Sequence, residues 1–365
     1  MGVLKKNFIP LLVVIIVFGF GLLVGSRHWF PYEILRVLAL SVNGSVISSI
    51  EDNSPTFDRL AGLENKLTSD ELKYLRSSIS EGIFPTNQSE ISVQIESGNH
   101  LIATTYYGVT SRGYLTSAAE VKANCLRVYI QGHGGNPFNF GYFSKLRDSF
   151  LSKGCDVLSL SMLGLGFNEG AASFPSSFGL VSLSPNQASQ HGNYSFFFDS
   201  ENPKIDPLSL FLYPHIRIIN YVLEQRSYSD IAVLGISGGG WYTVWLAALV
   251  PELKTSLSYS GTLPSAYLKG LKIHGDWEQT YSNLYNKKYS YLRLYQLMLA
   301  DRDGERTRES FLVYSDNDAC CFMNPSASNF KHLVEGLDFY PRVIVNRSNK
   351  HAMDVALVQN LLKNE

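Results

Sequence analysis

Leu234-Gly235-Ile236-Ser237-Gly238-Gly239-Gly240-Trp241 places a serine between glycines at Gly-x-Ser-x-Gly spacing. Residues 229–234 before it read as a buried strand, and residues 241–249 after it read as an apolar helix. A serine at a strand-to-helix corner is held in a strained conformation that lifts its hydroxyl above the sheet. Flanking glycines keep side chains away from the neighbouring strand and helix. The chemistry this allows is attack by the Ser237 hydroxyl on a carbonyl carbon, once a base takes its proton. A glycine-rich turn without chemistry has the same local pattern, so the supporting groups decide.

Three further segments hold those groups. Residues 126–130 have strand character and run into Gln131-Gly132-His133-Gly134-Gly135-Asn136. Residues 310–315 form another apolar run, closed by Asp316-Asn317-Asp318. Residues 342–346 form a third, followed by Arg347-Ser348-Asn349-Lys350-His351 and an amphipathic segment at 355–362. Of the eight histidines, His351 alone follows both the serine and these acidic candidates and directly follows a strand. An imidazole held by a carboxylate is the base a serine nucleophile requires.

These motifs, in the chain order serine, aspartate, histidine, resemble the α/β-hydrolase superfamily over roughly residues 91–365. The resemblance implies Ser237 as nucleophile and His351 as general base. In that superfamily the acid strand closes with a small residue, two variable residues and the aspartate. This registers Ser315 as the small residue and Asp318 as the acid, with Asp316 the alternative. The His-Gly-Gly loop implies an oxyanion hole from the backbone N–H groups of Gly135 and Gly238, Gly134 being the alternate for the first. An acyl-enzyme on Ser237 and ping-pong kinetics follow. No cofactor is implied. No metal is expected either, because the histidines are scattered and no Cys/His spacing matches a zinc site.

The Gly-Ile-Ser-Gly-Gly-Gly-Trp elbow is similar to those of bacterial acetyl-ester and carbohydrate-ester hydrolases. This implies cleavage of a carboxylic ester, for example an acetyl ester of an extracytoplasmic glycan. Peptidases, lipases, thioesterases and acyltransferases use the same triad, and a noncatalytic binding protein on this fold is the reading from another class.

The elements that must position these residues alternate between strand and helix, so the expected fold is α/β. A mostly parallel doubly wound sheet carries cap insertions, and an N-terminal transmembrane helix precedes it. Residues 92–95 and 101–106 predict an antiparallel lead-in hairpin, and residues 156–161 the strand after the oxyanion loop. Insertions at 167–206 and 261–307 exceed ordinary connections and lie where lids and substrate walls occur. The second holds Trp277, Tyr281, Tyr285, Tyr289, Tyr291 and Tyr295, which either line a substrate pocket or pack the cap. It also holds Asp276 and Glu278, alternatives for a displaced triad acid.

The chain has 365 residues, 45% of them hydrophobic and 17% charged, with a net charge of -1, which gives no reason to expect a nucleic-acid partner. Residues 7–26 carry no charge and residues 8–25 are almost wholly apolar, the length that spans a bilayer core of about 30 Å. Lys5 and Lys6 precede this run. It predicts an uncleaved anchor at 1–26 in contact with the lipid bilayer, a cleaved signal being the alternative, with the catalytic domain extracytoplasmic. Residues 27–90 then form a juxtamembrane stalk and helical addition, its helix opening with a cap at Ser69, and the catalytic domain occupies 91–365. Sequons at Asn43, Asn87, Asn193 and Asn346 suit that side in a eukaryote. Cys125 and Cys155 begin predicted strands and either bridge or serve as small core residues. For Cys320 and Cys321, a bridge from one of them to a distant partner is the commoner arrangement and a vicinal disulfide the rarer.

Overall fold

Strand β4 (Cys125–Gln131) is buried along its whole length, and its side chains divide by period two. Leu126, Val128 and Ile130 enter one apolar cluster, while Cys125 and Tyr129 enter the other. Strand β8 (Asp230–Ile236) divides likewise, Ile231 and Val233 against Ala232, Leu234 and Ile236. A strand apolar on both faces needs helices on both, which is the condition for a parallel sheet.

The computed structural model describes residues 65–84, 92–97, 101–106, 109–119, 124–176, 179–194, 207–267, 275–280, 285, 289–318, 320–322 and 324–362. The expected anchor at 1–26 lies outside these residues, as does the start of the stalk. Among the described residues no helix is long and apolar enough to cross a membrane.

The remaining strands of the main sheet are β1 (Ser92–Ser97), β2 (Leu101–Tyr106), β3 (Val109–Thr116), β5 (Cys155–Ser161), β9 (Thr255–Tyr259), β10 (Glu309–Ser315) and β11 (Arg342–Asn346). Their order is β1-β2-β3-β5-β4-β8-β9-β10-β11. The first three are antiparallel to their neighbours, and from β5 onward every pairing is parallel. A separate hairpin, β6 (Ala172–Ser176) with β7 (Gly179–Leu183), belongs to the first insertion. From β4 the chain steps to β5 on one side, then returns to β8 on the other. The strand order therefore reverses at β4, and the carboxyl ends of β4 and β8 are where sheets of this kind form a ligand crevice.

On one face lie helices α1 (Ser69–Ile83), α4 (Pro207–Gln225), α5 (Gly238–Leu249) and α7 (Tyr291–Met298), contributing Leu72, Leu210, Trp241, Trp245 and Leu294 to the larger cluster. On the other lie α2 (Gly141–Ser152) and α9 (Val355–Leu361), with Phe143, Leu146, Phe150 and Val358. Between them in sequence come the short α3 (Pro185–Ala188) and α6 (Trp277–Thr280), and α8 (Ser326–Val334). All twelve residues of α5 are buried, so it is the central helix of the molecule.

Helix α1, expected as part of an addition outside the catalytic domain, packs within this same core through Leu72, Ile79 and Ile83. Its cap is Thr68, one residue before the expected Ser69, with Glu71 closing a capping box. The side chain of Arg76 crosses to the end of α5 and donates from Nε to the Ala248 carbonyl at 2.9 Å. Arg308 donates to the Ala247 carbonyl at 2.7 Å. Two guanidinium groups thus satisfy carbonyls that the helix leaves unpaired at its C-terminus.

Cys125 and Cys155 are register partners at the starts of β4 and β5 and form a disulfide. Cys320 and Cys321 form a disulfide with each other. This corrects the expectation of a distant partner for one of them: the tight turn after β10 folds both side chains together, and no other cysteine of the four remains free.

Candidate active site

Ser237 stands between β8 and α5 with φ 57° and ψ -129°, a conformation that costs a side chain about 1–3 kcal/mol and is held only by surrounding structure. That structure is explicit. Its N–H donates to the Tyr259 carbonyl at 2.8 Å, and its own carbonyl accepts from Trp241 N–H at 3.1 Å. A Cβ at Gly235 would strike the Gly239 carbonyl and one at Gly239 would strike the Ile130 carbonyl, so the glycines at these two positions are required by close approach. Gly238 is the first residue of α5, and its N–H belongs to the set that a helix start leaves unpaired. Ser237 itself is 9% exposed.

The fold is α/β-hydrolase-like.

Two strands along the sheet from β8, the turn after β10 presents Asp318. It is buried, and His351 from the loop after β11 directs Nδ1 at its oxygens, 2.9 Å from Oδ2 and 3.0 Å from Oδ1. Asp316, the alternative, instead accepts from Ser348 N–H at 2.9 Å through Oδ1. Three more donors converge on Asp318: the N–H groups of Cys320 at 2.8 Å and Cys321 at 3.2 Å, and the Ser260 hydroxyl at 2.9 Å. Burial pushes the Asp318 pKa up, but the His351 hydrogen bond and charge, with the Cys320 N–H and the Ser260 hydroxyl, outweigh it and hold the carboxyl below the usual range. Ser260, just past β9 and at φ 45°, is a supporting residue that no sequence pattern singles out. The structure joins Asp318 to His351 and sets Ser237 on the same carboxyl edge. Among the described hydrogen bonds none links the Ser237 hydroxyl to the imidazole, a contact that in free enzymes is often long.

The loop after β4 lies against the elbow, since a Cβ on Gly132 would fall 2.7 Å from Ser237 Cβ. Within it, Gly135 adopts φ 85° and its N–H donates to the Gly132 carbonyl at 3.0 Å. The turn that reverses the chain thus occupies the N–H expected to face substrate. Gly134, the alternate, has no such backbone bond among the described residues and is exposed.

The described tyrosines of the second insertion pack rather than line. Tyr285, Tyr289, Tyr291 and Tyr295 are all buried, Tyr285 stacking on Tyr291 at 3.9 Å and donating to the Glu278 carbonyl. They fasten the second insertion to α5 through Trp241 and Trp245. Tyr281 and Phe196 to Phe198 lie outside the described residues. Asp276 and Glu278 face His133 and His191, not His351. Two histidines separated by 58 positions in the sequence are thus brought together. Burial opposes a charge on His133, yet Glu278 and Asp276 overcome it and raise its pKa to about 10.

Neither a protein-family model nor a curated sequence matches the chain. Among solved structures it is similar to Est1E from Butyrivibrio proteoclasticus, with 13% identity, 73% of this chain and 96% of that one covered, and a TM-score of 0.44. It is similar to acetyl xylan esterase 1 from a Thermoanaerobacterium species at 12% identity, covering 85% and 98%, TM-score 0.49. A glucuronoyl esterase from Caldicellulosiruptor kristjansonii gives 12%, 80% and 83%, and 0.49. These are likenesses in outline. The fold rests on the strand order and the turn at Ser237 in this chain.

Proposed function

We propose that the chain is a membrane-anchored serine hydrolase that cleaves a carboxylic ester through Ser237, His351 and Asp318. The observation that carries this reading is the buried Asp318 carboxylate gripping His351 Nδ1 on the edge of the sheet where Ser237 occupies a strained elbow. With Nδ1 engaged, Nε2 is the nitrogen left to accept a proton. Ser237 Oγ attacks the ester carbonyl as His351 takes its proton, and Asp318 stabilises the imidazolium. The tetrahedral oxyanion is met by Gly238 N–H at the start of α5, where the helix dipole adds to the hydrogen bond. The second donor comes from Gly134, because Gly135 is committed to Gly132. Each donor is worth on the order of 3 kcal/mol in the transition state. His351 returns its proton to the departing alkoxide, leaving an acyl group on Ser237. Water, deprotonated by His351, then attacks that acyl group, and the acid leaves as the serine recovers its proton.

The substrate class proposed is an acetyl ester of a glycan, which is what the resemblance of the Gly235 to Trp241 elbow implies. The apolar run at 8–25 anchors the chain and places the hydrolase domain outside the cytoplasm. The test is a stopped-flow assay with a chromogenic acetyl ester beside acetate release from acetylated oligosaccharides. The proposal requires turnover that depends on Ser237, with a burst equal to the enzyme concentration wherever deacylation is the slower step. Turnover no faster than that of Ser237→Ala on both substrates overturns it.

A further inference from the structure

The four side chains His133, His191, Asp276 and Glu278 come from three separate segments: the loop after β4, the insertion after β5 and the insertion after β9. His133 Nε2 lies 3.1 Å from Glu278 Oε1 and 3.2 Å from Asp276 Oδ2, and His191 Nδ1 lies 3.1 Å from the same Glu278 oxygen. One donor atom from each of the four falls within 4.8 Å of every other. Glu278 and His191 are fully buried. The two oxygens of Glu278, His133 Nε2 and His191 Nδ1 face only one another and Asp276, with no other hydrogen-bond partner among the described residues.

The tautomer sharpens the problem. His191 Nε2 meets the Leu163 carbonyl at 2.7 Å, where it must donate. A neutral His191 then turns the Nδ1 lone pair toward a buried carboxylate oxygen, two electron-rich atoms 3.1 Å apart. A positive charge has to stand between them.

We infer that these four residues form a binding site for a divalent transition-metal ion of the zinc type. Zinc ligands at about 2.0–2.1 Å in a tetrahedron sit about 3.3 Å from one another. The three close separations, 3.1, 3.1 and 3.2 Å, fit the edges of such a tetrahedron. Two carboxylates neutralise a dication, which accounts for a glutamate with no exposed surface. Two imidazoles with two carboxylates suit zinc and its neighbours better than magnesium or calcium, which take oxygen ligands. The ligands are also oriented from behind, as metal ligands are. Leu163 fixes His191, and Asp276 Oδ1 accepts from Trp277 N–H at 2.8 Å, leaving Oδ2 for the ion.

Four protein ligands make a closed site, so its role is structural. It ties both insertions to the His-Gly-Gly loop beside the elbow, where a Cβ on Gly238 would fall 2.8 Å from His133 Cε1. The ion therefore fixes the wall on the oxyanion side and does not act on substrate. This inference stands apart from the reaction at Ser237 and is read by metal content.

The test uses the full chain without a polyhistidine tag, stripped with a chelator and titrated with zinc(II) against a chromophoric indicator, with elemental analysis after gel filtration. The wild type should retain one equivalent. His191→Gln and Glu278→Gln should each weaken binding by more than the roughly 10–100-fold that loss of an outer-shell partner costs. Should either variant fail to fold, cobalt(II) in the wild type decides, a tetrahedral d–d spectrum without thiolate charge transfer being expected. Folded wild type that takes up no stoichiometric zinc, uptake unchanged in both variants, or an octahedral cobalt spectrum overturns the inference and leaves a proton-bridged cluster.

Discussion

At the scale of single residues, Asp318 is the most heavily supported side chain of the site, taking hydrogen bonds from His351, Ser260 and the N–H groups of Cys320 and Cys321. Asparagine there would keep the shape but present an amide N–H to one of these donors and select the wrong imidazole tautomer. Asp318→Asn should lower kcat by about 10⁴-fold. Asp316→Asn should leave kcat within about threefold, well under 1.4 kcal/mol of barrier, since its carboxylate serves the Ser348 N–H. Steady-state kinetics on both variants checks the pair, and the reverse ranking contradicts the assignment. His215, fully buried in α4 with Nε2 donating to the Ser161 carbonyl, gives a pH prediction. Burial pushes its pKa down to about 4, against the partial opposition of that carbonyl. The unfolded chain takes up this proton near its ordinary value of 6.5, the folded protein only near 4. Its contribution to stability is therefore complete above about pH 6.5 and is lost as pH falls toward 4, on the order of 3 kcal/mol in all. Urea melts of wild type and His215→Gln across that window should converge as pH falls, and parallel curves would refute the prediction.

At the scale of elements, α5 is the hinge of the account, because its first residue follows the nucleophile and its last carbonyls are capped by Arg76 and Arg308. Arg76→Ala strips donors from the buried Ala248 and Ala300 carbonyls. It should destabilise the fold by about 2–4 kcal/mol, seen as a lower urea midpoint, while the folded variant keeps its reaction at Ser237. An unchanged midpoint would refute the capping role. The strands on either side of the site were legible in sequence because period-two burial and glycine punctuation are local signals. Residues 310–315, for instance, read as a strand from sequence and lie in β10, with Phe311 and Val313 in one cluster and Leu312 and Tyr314 in the other. The turn at Gly235 to Gly239 was legible for the same reason. The roles of Arg76, Ser260 and the cluster of His133, His191, Asp276 and Glu278 were not, since each acts on a partner 58 or more positions away. The fate of Gly135 was hidden differently. Its motif was visible, but which amide a glycine turn consumes depends on dihedral angles that composition does not encode.

For the whole molecule, the parts are arranged by the reversal of strand order at β4, the place where sheets of this kind form a ligand crevice, flanked here by the His-Gly-Gly loop and the elbow. The Cys125–Cys155 bridge closes β4 and β5 at the opposite end, away from that crevice. Removing residues 1–26 should transfer hydrolase activity from the membrane fraction to the soluble one, because the apolar run at 8–25 is the proposed tether. Persistent sedimentation with membranes would assign the attachment to another segment. Hydrolysis at this site requires Ser237 as an activated nucleophile, and the most direct measurement is covalent labelling by a fluorophosphonate, with the modified residue located by mass spectrometry. The prediction is a single adduct on Ser237, absent in Ser237→Ala and formed far more slowly in His351→Ala. A folded wild-type protein that stays unlabelled, or an adduct on another serine, would contradict it.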